Sequence, residues 1–122
     1  MPEYLPGACN IGKDEIRERY ALAFMGFMIS AVLVSSIILY HLPRWSLFVS
    51  FIPLVLGFEG FYQGHFKFCA GFAAERVYDV GGSKKKVTDP KDHFKDMQRA
   101  KQIHIYSIIS AALITVAVYL LS

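Results

Sequence analysis

The chain has 122 residues, of which 54% are hydrophobic and 19% charged, with a formal net charge of +3 and a mean hydropathy of +0.36. A soluble domain carries about 25% charged residues. Here the charges are also crowded between long uncharged stretches, which excludes intrinsic disorder and argues against a soluble globule. The length suits one domain, and two cysteines are too few for a disulfide scaffold.

Residues 1–9 contain two prolines and a glycine and predict irregular backbone. Leu5-Pro6-Gly7-Ala8-Cys9 has the outline of a lipoprotein cleavage site, but no apolar run precedes it. With Glu3, Asp14, Glu15 and Glu18 among the first nineteen residues, neither a signal peptide nor lipidation at Cys9 is expected. Asn10 is a candidate N-cap. Asp14 and Glu15 then fall in the first turns, where the helix dipole favours anions. Glu15 and Arg19 are four apart in the favourable order. The following 21 residues, 20–40, carry no charge. As a helix they reach about 31 Å, the thickness of a bilayer hydrocarbon core.

Pro43 marks a turn, and Trp45 beside it suits an interfacial anchor. Residues 45–64 form a second apolar stretch with one charge, Glu59. Pro53 lies inside it and predicts a kink. Phe66, Phe68, Cys69, Phe72 and Ala73 continue a helical pattern, which predicts that this helix extends to about Val80. Gly81-Gly82-Ser83 ends it, and Lys84, Lys85 and Lys86 follow in a loop suited to anionic headgroups. Asp89-Pro90-Lys91-Asp92 is a strong helix start, with Asp89 as cap. Asp92 with Lys95 and Asp96 with Arg99 are three apart and predict ion pairs. Residues 105–122 are again uncharged.

In lipid the backbone must satisfy its own hydrogen bonds, so each apolar stretch is expected to be a helix. The expected fold is all-α: an integral membrane protein of three transmembrane helices with short cytoplasmic helical extensions. It is one membrane domain over residues 1–122, with spans at about 20–40, 45–64 and 104–121 and a cytoplasmic segment at 65–103. Of the thirteen Lys and Arg residues, only Arg44 lies between the first two spans. The positive-inside rule therefore places the N-terminus in the cytoplasm and the C-terminus at the outer face. The net charge is accounted for by this orientation, and no nucleic-acid partner is expected.

Glu59 is the most informative residue. A carboxylate inside a span is costly and should face other helices or another protein. Neighbouring helices run antiparallel, so Arg19 and His104 lie at the right depth to pair with it, and Gln63 is one turn further on the same face. One reading is an interhelical contact that fixes packing; the other is a proton or cation site in a homo-oligomeric small transporter. Cys9 and Cys69 are both expected near the membrane on one side, and His65 shares a helical face with Cys69. The three are candidate ligands of a soft metal, or the cysteines a thiol pair. Alternatively both cysteines are small apolar fillers. Gly57, Gly60 and Gly64 line the second span, and Gly26 and Ser30 repeat the four-residue spacing in the first. Small residues let membrane helices approach closely, within one chain or against another subunit. His41, His93 and His104 otherwise read as interfacial or surface histidines, and no nucleophile–base or phosphate-loop motif occurs.

Cys9-Asn10-Ile11-Gly12, Glu15, Arg19, Gln63, Phe68-Cys69, Val87, Asp89 and Arg99-Ala100 form an ordered pattern. In this the chain resembles a group of small uncharacterised bacterial three-span membrane proteins with an N-terminal Cys-Asn-x-Gly and a Phe-Cys after the second span. The resemblance implies the three-span layout in a bacterial inner membrane and that Cys9 and Cys69 belong to one pattern. It implies no activity, and Glu59 and His65 have no place in it.

The expected function is non-catalytic: a small accessory or structural subunit of a larger membrane protein complex. Three helices are too few to enclose a substrate path, yet they carry close-packing faces and a buried-type charge. The alternatives are a thiol- or metal-handling membrane protein using Cys9 and Cys69, and the Glu59 transporter. The expected partners are the lipid bilayer and either a larger complex or further copies of the chain. The sequence names no cofactor.

Overall fold

The computed structural model describes residues 4–122. Its elements are α1 (Lys13–Leu39), a 3-10 helix (Arg44–Ser50), α2 (Phe51–His65), α3 (Ala70–Glu75), the short strands β1 (Val77–Tyr78) and β2 (Lys85–Lys86), and α4 (Pro90–Leu121). The chain is mostly helical. Three helices, Lys13–Leu39, Arg44–His65 and Pro90–Leu121, are long and apolar enough to cross a membrane.

Two helix stops account for where the chain turns. α1 ends with His41 in the left-handed region at φ 54°, and α2 ends with Lys67 at φ 56°. At each stop two N–H groups fold back on the last turn. His41 and Leu42 donate to the carbonyls of Ile38 and Ile37; Lys67 and Phe68 donate to those of Gly64 and Gln63. This is a Schellman motif built without glycine. The second stop corrects the expectation of a continuous helix to about Val80. The chain instead breaks at Lys67, makes the short α3, and forms a two-stranded hairpin in which Val77 faces Lys86 and Tyr78 faces Lys85. Lys85 and Lys86 are thus strand, not loop.

The 3-10 helix supplies the first part of the second apolar stretch and runs directly into α2, Ser50 and Phe51 both being in the right-handed helical region. Pro53 is the third residue of α2, close to the junction of the two helix types. Asn10 is not a helix cap. α1 begins at Lys13 with Gly12 as its N-cap. Asp89 does cap α4, its carboxylate accepting from the N–H of Lys91 at 2.9 Å. The irregular backbone expected for residues 1–9 is found over 4–9, where Leu5 and Cys9 close a turn; residues 1–3 lie outside the described residues.

α2 is the middle element, packed against α1 on one side and α4 on the other. At about 100° per residue, Gly57, Gly60 and Gly64 share one side of α2, while Glu59, Tyr62 and Phe66 lie roughly opposite. The glycine side meets α1 at backbone distance. A Cβ on Gly26 would stand 2.6 Å from the Gly57 nitrogen, and one on Gly60 would stand 2.6 Å from the Arg19 carbonyl oxygen. Gly64 is covered by the Tyr20 ring and Gly57 by the Phe27 ring. The small residues thus bring α1 and α2 together within one chain. The opposite side meets α4, where the Tyr62 hydroxyl and Ser110 Oγ are 2.7 Å apart. The three helices therefore form a layer with α2 at its centre, and both flat faces of α2 stay open: Ile52 is 64% exposed on one and Phe61 39% on the other.

One flat face is aromatic. Phe61 contacts Tyr20, Tyr62 and His65, and Tyr62 contacts Phe66 and Tyr106. Arg99 lies over the Phe66 ring. The other face carries a polar band at the end of the layer that bears most of the charge. That end is a packed head. Phe68, Ala70, Ala73, Ala100 and Ile103 form one core cluster. Ile11, Cys69 and Phe72 form a second.

Candidate functional site

The polar band crosses all three long helices. Arg19 on α1 stands 3.5 Å from Glu15, confirming that pair. Its Nε donates to Gln63 Oε1 at 3.2 Å, and Gln63 Nε2 donates to Glu59 Oε2 at 3.0 Å. The other Glu59 oxygen is 2.6 Å from His104 Nδ1 on α4. Glu59 thus meets His104 directly and reaches Arg19 only through Gln63. The Glu59 side chain is 15% exposed and that of His104 52% exposed. A carboxylate in this position orients the imidazole and leaves its Nε2 facing outward.

The band continues into the head. Arg19 Nη2 donates to Cys69 Sγ at 2.9 Å. Cys69 is held by Asn10: the Asn10 Nδ2 donates to the Cys69 carbonyl at 3.0 Å, and the Cys69 N–H donates to Asn10 Oδ1 at 2.6 Å. The Asn10 backbone is paired as well, with Lys67 and with Asp79. Its side chain has no exposure at all. Gly12 follows, its Cα so close to Val80 that a Cβ would stand 2.7 Å from the Val80 carbonyl oxygen. The N-terminal segment is therefore a strap laid into the head. Asn10, Arg19, Gln63 and Cys69, scattered over sixty positions of sequence, meet at one place.

Both cysteines are free thiols and buried. Cys9 Sγ lies 3.5 Å from the Ile11 carbonyl oxygen, whereas Cys69 faces Arg19. His65 stacks on Phe61, outside this group. Among the described residues no three His, Cys, Asp or Glu side chains converge as a metal site. Cys9, Cys69 and His65 are therefore not gathered as one ligand set. Each occupies its own contact.

Asp96 is the feature that the sequence concealed. It does not pair with Arg99. It is 1% exposed, accepts from the Tyr4 hydroxyl at 2.8 Å and accepts from the Gly7 N–H at 2.8 Å. Arg99 instead donates to the Gly7 carbonyl at 2.9 Å. Burial, followed by the hydrogen bond and charge of Asp96, pushes the Tyr4 phenol well above its ordinary value. The Tyr4 ring stacks on Tyr78 at 4.2 Å. An Asp three residues before an Arg reads as a surface pair, and nothing local marks it as an anchor for residues 4–7.

These features define a small helical protein: a layer of three long apolar helices, a polar band across one face, and a head closed by its own N-terminal strap. No protein-family model, curated protein or solved structure matches the chain significantly.

Proposed function

We propose that the chain is a three-span protein of a bacterial inner membrane. In this reading its N-terminus and residues 65–103 are cytoplasmic, and it serves as a small non-catalytic accessory subunit of a larger membrane protein complex. The observation that carries the reading is the open layer. A single row of three helices encloses no lumen, and its central helix is covered on two sides only. The glycines that would serve an exporter-like oligomer are already used between α1 and α2. Glu59 is tied to Gln63 and His104 rather than left facing a channel. What remains for other molecules is one aromatic face and one apolar face with a polar edge.

The test is isolation at native expression level in a mild detergent. The accessory reading expects the chain to migrate with a larger assembly. A clean monomer under those conditions overturns it. Orientation is tested separately, by labelling a cysteine placed at residue 85 in sealed vesicles. Labelling from the outer side would reverse the assigned topology.

A further inference from the structure

The face of α4 that carries His104 continues toward the head through Lys101, Gln98, Met97 and Phe94. With Ala70 and Ala74 of α3, these residues line a groove of about 520 Å³. We propose that the end of this groove at Lys101 and His104 binds the phosphate of an anionic phospholipid from the cytoplasmic leaflet. The inference rests on the bilayer placement proposed above, but not on the accessory role.

Four observations carry it. His104 immediately precedes the uncharged run that begins at Ile105. In a spanning helix that residue stands at the border of hydrocarbon and headgroups, with Lys101 one turn nearer the lipid phosphates. Its Nδ1 is held by Glu59 at 2.6 Å. The ring therefore has a fixed direction, and its Nε2 has no hydrogen-bond partner among the described residues. Lys101, one turn away, is exposed and has no carboxylate within 4 Å among the described residues. Beyond His104 on the apolar side, Ile105 and Ile108 are about half exposed. A lipid placed here meets matching chemistry along its length. The phosphate takes Lys101 Nζ and His104 Nε2, Gln98 meets a hydroxylated headgroup, and the first methylenes lie over Ile105 and Ile108. With the Glu59 carboxylate at Nδ1 and a phosphate at Nε2, each ring nitrogen has an anionic partner. The Lys84 to Lys86 cations differ in kind. They stand exposed along one side of a hairpin, and Lys84 lies over the Phe72 ring.

The experiment uses the full chain, delipidated in detergent. Native mass spectrometry reads retention of phosphatidylglycerol against phosphatidylcholine of the same acyl chains. The proposal expects a preference of about tenfold for phosphatidylglycerol, because the choline cation of phosphatidylcholine opposes Lys101 and offers no hydroxyl to Gln98, a difference of the size of one charge-assisted hydrogen bond. That preference should fall toward unity in Lys101→Gln and in Lys101→Gln with His104→Gln. Lys101→Gln alters an exposed side chain, and an unchanged thermal melt confirms that it folds. A preference that survives both variants overturns the site. So does an equal loss in Lys84→Gln, Lys85→Gln, Lys86→Gln, which would mark bulk charge. Displacement of the lipid by soluble glycerol phosphate would show that free phosphate, not lipid, is the ligand. Extraction of the wild-type chain from membranes by alkaline carbonate would overturn the bilayer placement instead.

Discussion

Asn10 and Cys69 are joined by two buried hydrogen bonds, one in each direction between a side-chain amide and a backbone peptide unit. The arrangement copies the pairing of two strands, with an asparagine side chain standing in for one of them. It locks the strap to the segment that follows α2. Asn10→Ala would leave a buried N–H and a buried C=O without partners, at about 1–3 kcal/mol each. The expected loss is about 2–4 kcal/mol in chemical unfolding in detergent, with faster maleimide labelling of both cysteines. Unchanged stability together with slow labelling would show that the clasp is dispensable.

Lys67 offers the opposite case. Its φ of 56° lies in the left-handed region, which costs a residue with a Cβ about 1–2 kcal/mol. Lys67→Gly should remove that strain. Against the larger entropy of a glycine in the unfolded chain, the net gain should be about 0.5–1 kcal/mol. A melting temperature that drops on this substitution would contradict the assigned stop.

The α1–α2 contact is tested by adding single methyl groups. Gly26→Ala and Gly60→Ala each place a Cβ within 2.6 Å of partner backbone, so the helices must move apart. The expected cost is about 1–3 kcal/mol each. Gly81→Ala, where nothing lies within 4 Å of the added Cβ, is the control and should be neutral. Equal effects at all three positions would mean that crowding between α1 and α2 does not set the cost.

In the polar band the bridge should matter more than the ion pair. His104 is half exposed, so Glu59→Gln should change stability by less than about 1 kcal/mol. Gln63→Leu removes the acceptor of Arg19 Nε and the donor to Glu59 together, and should cost about 1–3 kcal/mol. A reversed order, measured by denaturant unfolding, would show that the Glu59–His104 contact carries the band.

Tyr4 predicts an alkaline limit. Its pKa is raised in the folded chain above the ordinary value of 10.0. Its contribution is therefore complete below pH 10.0 and is lost as pH climbs toward the folded value, because the unfolded chain releases the proton first. Wild type should lose stability above that pH more steeply than Tyr4→Phe. Parallel curves would place the Tyr4 hydroxyl outside the Asp96 contact.

The sequence by itself determined the three apolar helices, the Asp89 cap and the one-sided distribution of cations. Each is written in the length or composition of one continuous stretch. It also put Arg19 and His104 at the depth of Glu59, from the antiparallel order of the helices, without choosing between them. Only the tertiary structure decided that Asn10 clasps Cys69, that Asp96 anchors Tyr4 and Gly7, and that Gln63 stands between Arg19 and Glu59. Those partners lie from 44 to 92 residues apart, or hang on a rotamer choice, and no local pattern encodes them. The stop at Lys67 was hidden for a related reason. A left-handed lysine is disfavoured by its own backbone, and here it is embedded in contacts, including the Asn10 N–H on its carbonyl oxygen, that distant residues supply.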